Sequence, residues 1–139
     1  MSKLVSVRLR REVEVSAESY IEATGWTRTS LVNTALEEWL RLQAHPGIRF
    51  VANPNGNRIA ALVGGPEVWT VAESWKQHTP PQRTVENVVA ATGLNRREVE
   101  CALDYYAAFT GEIDTQIKRV HQAQEQKRVA WERRQAING

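Results

Sequence analysis

Leu4-Val5-Ser6-Val7-Arg8-Leu9-Arg10 begins the chain with a strict two-residue alternation, Val5, Val7 and Leu9 on one face and Ser6, Arg8 and Arg10 on the other. That period is the mark of a half-buried β-strand. A helix is predicted after it, over roughly Glu12 to Thr24, because Val13, Ala17, Tyr20, Ile21 and Thr24 recur at three- and four-residue steps. Gly25 stands where a left-handed residue ends a helix. Thr27 is a suitable N-cap for a second helix over about Arg28 to Gln43, with the stripe Leu31, Val32, Ala35, Leu36, Trp39 and Leu40.

A lone strand leaves its N–H and C=O groups unpaired, and the following forty residues offer no second strand. The same strand from a second copy, antiparallel across a two-fold axis, solves this. The helices then close over Val5, Val7 and Leu9, so that folding and dimerisation are one event. The outer face presents Ser6 and Arg8, with Leu4 and Arg10 toward its ends. A two-stranded ribbon fits the DNA major groove, where a guanidinium such as that of Arg8 bonds guanine O6 and N7 together. The start of the second helix, Thr27-Arg28-Thr29-Ser30, has free N–H groups and a positive dipole end suited to a backbone phosphate, and Arg10 is a further phosphate contact. The alternative is a plain dimerisation unit whose Ser6 and Arg8 simply face solvent.

The segment from Lys3 to about Leu42 resembles the ribbon-helix-helix family of repressors and antitoxins. The likeness rests on Val5-Ser6-Val7-Arg8-Leu9, on Gly25-Trp26-Thr27-Arg28-Thr29-Ser30 and on the spacing of Leu31, Ala35 and Leu36. It implies base contacts by Leu4, Ser6 and Arg8 and phosphate contacts by Thr27 to Ser30. Leu4 departs from a position that is more often polar; it touches a thymine methyl or sits at the ribbon edge.

His45-Pro46-Gly47 breaks the helical pattern. Ile48 to Val51 and Arg58 to Leu62 read as short strands around Asn53-Pro54-Asn55-Gly56-Asn57, which carries the Asn-Gly hairpin sign. Gly64-Gly65-Pro66 leads into a helix to about His78, and Thr79-Pro80-Pro81 interrupts it. From Thr84 to Val99 the pattern is that of a helix-turn-helix. Val85, Val88 and Val89 form the first stripe, Gly93 makes the turn, and Asn95 caps a helix that buries Val99, Ala102, Leu103 and Tyr106. In a DNA-reading version Arg96, Arg97 and Glu100 face the groove; in the other version the motif is only a packing unit. With the hairpin in front, the domain is winged-helix-like.

Lys118 to Arg134 is basic and poor in apolar residues, so it is a polar helix or a disordered tail. Trp131 beside Arg133 and Arg134 reads as an anchor for a protein partner, a basic arm for DNA, or a solvated helix. The stretch from Pro46 to about Ile117 is similar to a small helix-turn-helix-type domain of bacterial antitoxins, on His45-Pro46-Gly47-Ile48, Gly64-Gly65-Pro66-Glu67-Val68-Trp69 and Glu98 to Tyr106. Glu112-Ile113-Asp114 and Trp131 to Gln135 are similar to the tails of those antitoxins. This resemblance implies a toxin partner, a small ribonuclease of the PIN type.

The chain of 139 residues has a net charge of +2, too small by itself to announce a nucleic-acid partner. Its distribution says more: four cations and no acid over residues 1–11, then four acids and no base over 12–25. One cysteine excludes an internal disulfide, and His45, His78 and His121 lack ligand spacing. No metal, cofactor or catalytic constellation is expected, and hence no enzyme. Without a signal-peptide core or an apolar run near 18 residues, the expected place is the cytoplasm, with no membrane contact. The expected fold is mainly α with short β: a ribbon-helix-helix dimer over 1–44, a winged-helix-like domain over 45–110 and a helical tail over 111–139. The expected partners are an operator DNA, a second copy with pairs of dimers on adjacent half-sites, and a toxin. A DNA-binding regulator without a toxin is the alternative.

Overall fold

The structure, a computed structural model, describes residues 6–139. Six helices and one antiparallel strand pair are described, so the fold is mainly helical with a short β element. The chain divides into two compact units, Met1–Gln43 and Ala44–Gly139.

In the first unit Ser6 to Arg10 form no regular element. A single chain offers them no ladder partner, and the alternation of residues 4–10 cannot by itself make a strand. The part of that stretch before Ser6 lies outside the described residues. Helix α1 spans Arg11–Thr24, with Glu12 and Glu14 in the first turn, where the helix dipole favours acids. It ends at Gly25, left-handed at φ 77°, whose N–H donates to Ile21 O. Helix α2 spans Arg28–Ala44. Thr27 caps it: Thr27 Oγ1 accepts from the Ser30 N–H at 3.0 Å. Neither helix buries a residue. Val13, Tyr20, Leu36, Trp39 and Leu40 are all exposed, Trp39 and Leu40 to about 60%.

The second unit has a core of its own. Strands β1 (Ile48–Ala52) and β2 (Arg58–Leu62) pair in the register Ile48↔Leu62 to Ala52↔Arg58. Asn53 holds the turn, its Oδ1 accepting from the N–H groups of Asn55 and Asn57, while Gly56 takes φ 83°. Helix α3 (Val68–Gln77) is central and packs on β2, α4, α5 and α6. Val68, Val71 and Ala72 are fully buried on it, because the helix is covered on several sides. Helices α4 (Val85–Thr92) and α5 (Arg96–Ala108) pack on each other across Gly93, left-handed at φ 76°. Thr84 caps α4, and Asn95 with Glu98 makes a capping box on α5. Val88, Val99, Ala102 and Tyr105 are buried. Of the expected α5 stripe, Leu103 and Tyr106 are half-buried, and Tyr105 takes the interior place. Tyr105 packs among His45, Phe50 and Phe109, which draws the aromatic ring inward.

Helix α6 runs from Thr110 to Asn138. Its first turns belong to this core through Ile113 and Ile117. Lys76 Nζ donates to Asp114 Oδ1 at 3.1 Å, the Tyr106 hydroxyl donates to the same oxygen at 2.7 Å, and His121 pairs with Glu73. Beyond residue 120 every residue except the half-buried Val129 is exposed. Among the described residues no helix is long and apolar enough to cross a membrane.

Candidate nucleic-acid interface

The candidate sites fall at four places. In the first, Ser6, Arg8 and Arg10 are exposed, and neither arginine has an acidic partner among the described residues. Leu4, the remaining base-contact candidate, lies outside the described residues.

At the start of α2, Thr27, Arg28, Thr29 and Ser30 are exposed. Two of the polar groups are already used within the turn. Thr27 Oγ1 takes the Ser30 N–H, and its hydroxyl donates to Ser30 Oγ at 2.9 Å. The guanidinium of Arg28 pairs with Glu14 at 3.2 Å and Glu18 at 3.4 Å. The acidic face of α1 thus holds the very cation expected on phosphate. Such exposed pairs are worth only about 0.2–1 kcal/mol, so a phosphate can displace them.

At α5, Arg96 and Arg97 are exposed but different. Arg96 bonds Glu86 of α4 and reaches Glu100 at 2.8 Å. These two acids raise the guanidinium's affinity for its proton, Glu86 contributing most. Glu86 in turn is held below the ordinary carboxylate range by a backbone hydrogen bond and then by Arg96. Both partners stay fully charged, and their fields cancel. The sequence pattern hides this, because the Glu86–Arg96 pair forms only when the turn at Gly93 folds α4 against α5. Arg97 borders a cleft of about 520 Å³ with His45, Gly47, Cys101 and Asp104. Gly47 approaches the thiol so closely that a Cβ there would lie 2.6 Å from Cys101 Sγ. Burial pushes the Cys101 thiol pKa up, so it is a protonated packing group.

On α6, Trp131 is 58% exposed, and Arg133 and Arg134 are exposed beside it. Arg128 is the pairing cation of this segment, bonded to both Glu125 and Glu132. Lys127, Arg133 and Arg134 have no acidic partner among the described residues. Arg119, also exposed and without an acidic partner there, was not singled out as a contact by sequence reasoning. Its significance depends on the phase of one continuous helix.

No group of His, Cys, Asp and Glu among the described residues is arranged to hold a metal ion. Comparison with known protein families, with curated proteins and with solved structures finds no match for this chain.

Proposed function

We propose that the chain is a dimeric, sequence-specific DNA-binding repressor of ribbon-helix-helix type, and the antitoxin of a toxin–antitoxin pair that represses its own operon. One observation carries the reading. The first unit has two amphipathic helices, one ended by Gly25 and the other begun at Thr27, yet no described residue of it is buried. Val13, Tyr20, Leu36, Trp39 and Leu40 are left facing water. An apolar surface of this kind calls for a cover. A second copy supplies it and at once gives the stretch around Ser6 to Arg10 a strand to pair with. Arg8 and Ser6 then read bases, Leu4 lies at the ribbon edge, and Arg10 with Thr27 to Ser30 holds phosphates. Under this reading the winged-helix-like second unit supports the dimer. Trp131, Arg133 and Arg134 on the otherwise bare end of α6 anchor a PIN-type ribonuclease.

The test begins with the molar mass in solution and then turns to DNA. Genomic fragments selected by the full-length chain supply the specific site. Arg8→Ala is expected to remain a dimer and to lose about 1–3 kcal/mol of discrimination at that site. A monomer at micromolar concentration, or an Arg8→Ala variant with unchanged discrimination, overturns the reading.

A further inference from the structure

We infer that the second unit has its own contact with duplex DNA, made by one face of α6 rather than by the helix-turn-helix. Three observations lead there. The expected surface at the start of α5 is largely neutralised, since Arg96 is spent on Glu86 and Glu100 and only Arg97 is left beside them. The cations of α6 are sorted by side. At about 100° per residue, Arg119, Lys127, Arg133 and Arg134 fall within roughly a third of the helix circumference. Glu125 and Glu132 fall on the other side, where both pair with Arg128. The positive face is therefore uncompensated along more than three turns.

The stretch of that face from Arg119 to Ala130 favours a phosphate backbone over a protein, and its far end at Arg133 and Arg134, beside Trp131, is the part that the proposed function gives to the toxin. Gln122, Gln126, Ala123 and Ala130 lie between the cations, all of them exposed. Alanines let the helix axis approach closely, and glutamines donate to phosphate or base edges. The aromatic anchor that a protein interface is built around, Trp131, lies at the margin of the face. At its upper end the face meets the hairpin turn in a cleft of about 760 Å³, where Arg119 and Gln116 stand opposite Asn55, Asn57 and Arg58. Gln116 Oε1 is buried there without a hydrogen-bond partner. The nearest acids, Glu67 and Glu112, are turned to hydrogen bonds from Trp69 Nε1 and the Tyr105 hydroxyl. The cleft itself balances Arg58 and Arg119 against Glu67 and Glu112, so the positive surface that suits duplex DNA is the helix face below it. The contact reads no sequence; it adds affinity and salt dependence to whatever the first unit does.

The contact does not depend on the ribbon reading, and the experiment keeps the two apart. Binding of a mixed-sequence 30-base-pair duplex is measured against salt for the full chain, for Arg119→Gln with Lys127→Gln, and for Arg96→Gln. Each is made with and without Arg8→Ala. Glutamine preserves helix propensity, and circular dichroism checks that the helices remain. Losing two phosphate contacts lowers the slope of log affinity against log salt by about 1.8. Between 50 and 200 mM salt the parent then loses on the order of tenfold more affinity than the double variant. Arg96→Gln leaves the slope unchanged, and the result is the same in either Arg8 background. An unchanged slope for the double variant overturns the inference. So does a variant that binds DNA as the parent does but no longer retains a protein partner, which would assign the face to that protein.

Discussion

The two units are built from the same material, short amphipathic helices, and differ in what they bury. In the second, α3 lies among β2, α4, α5 and α6, and Val68, Val71, Val88, Val99 and Tyr105 are removed from water. In the first, α1 and α2 are the only regular elements, and no described residue is buried. Two helices make one layer, and a layer has no inside. Amphipathicity alone therefore sets where a helix wants to be covered, while the number of neighbours decides whether one chain can do it. At about 40 residues a unit depends on a metal, a disulfide or a partner. In the function proposed above, a second copy supplies that partner.

The contrast breaks most visibly in the core of the second unit. Tyr105 is fully buried and touches three other rings, so Tyr105→Ala is expected to destabilise that unit by about 3–5 kcal/mol. Urea unfolding followed by tryptophan fluorescence measures it, and the loss should not depend on protein concentration. A cost below about 1 kcal/mol would mean that this core is not the one that holds the unit together. The first unit should behave in the opposite way. Leu36 is 55% exposed in the single chain, and Leu36→Ala would there stay within about 0.5 kcal/mol. If a second copy covers it, the same change costs about 2–5 kcal/mol, and the unfolding midpoint moves with concentration. A small effect independent of concentration removes the dimer from the first unit.

Local features were legible in the sequence in proportion to how local they are. Gly25, Thr27, Gly93, Asn95 and the Asn-Gly turn announce themselves, because a cap or turn is decided within a few residues. The two apolar stripes of the helix-turn-helix were readable as well, although periodicity put Tyr106 on the buried side where the structure has Tyr105. That choice is made by His45, Phe50 and Phe109, distant in sequence or in the next element. The charges were least legible. Arg28 and Arg96 look alike in the sequence to Arg8 and Lys127, yet the fold hands each of them two carboxylates. Whether an arginine is free for a phosphate depends on which helix face comes to lie opposite it.

The smallest expected effect concerns how α6 is joined to the second unit. Asp114 accepts from both Tyr106 and Lys76, and these hydrogen bonds hold its carboxyl below the ordinary range, Tyr106 contributing most. The same contact, together with burial as the larger cause, pushes the Tyr106 hydroxyl up to about 12. The depressed pKa of Asp114 gives stability that is present above its unfolded value, near 4, and fades as pH falls through the lower folded value. The raised pKa of Tyr106 gives stability that is present below its unfolded value, near 10, and fades as pH rises toward 12. The clasp is therefore complete across neutral pH and opens at both extremes. Its groups are partly exposed, so Asp114→Asn should cost no more than about 1 kcal/mol. The effect should be local: faster amide hydrogen exchange between Thr110 and His121, with the exchange of α4 unchanged. Loss of protection throughout the second unit would mean that α6 is part of its cooperative core and that Ile113 and Ile117, rather than the clasp, hold it there.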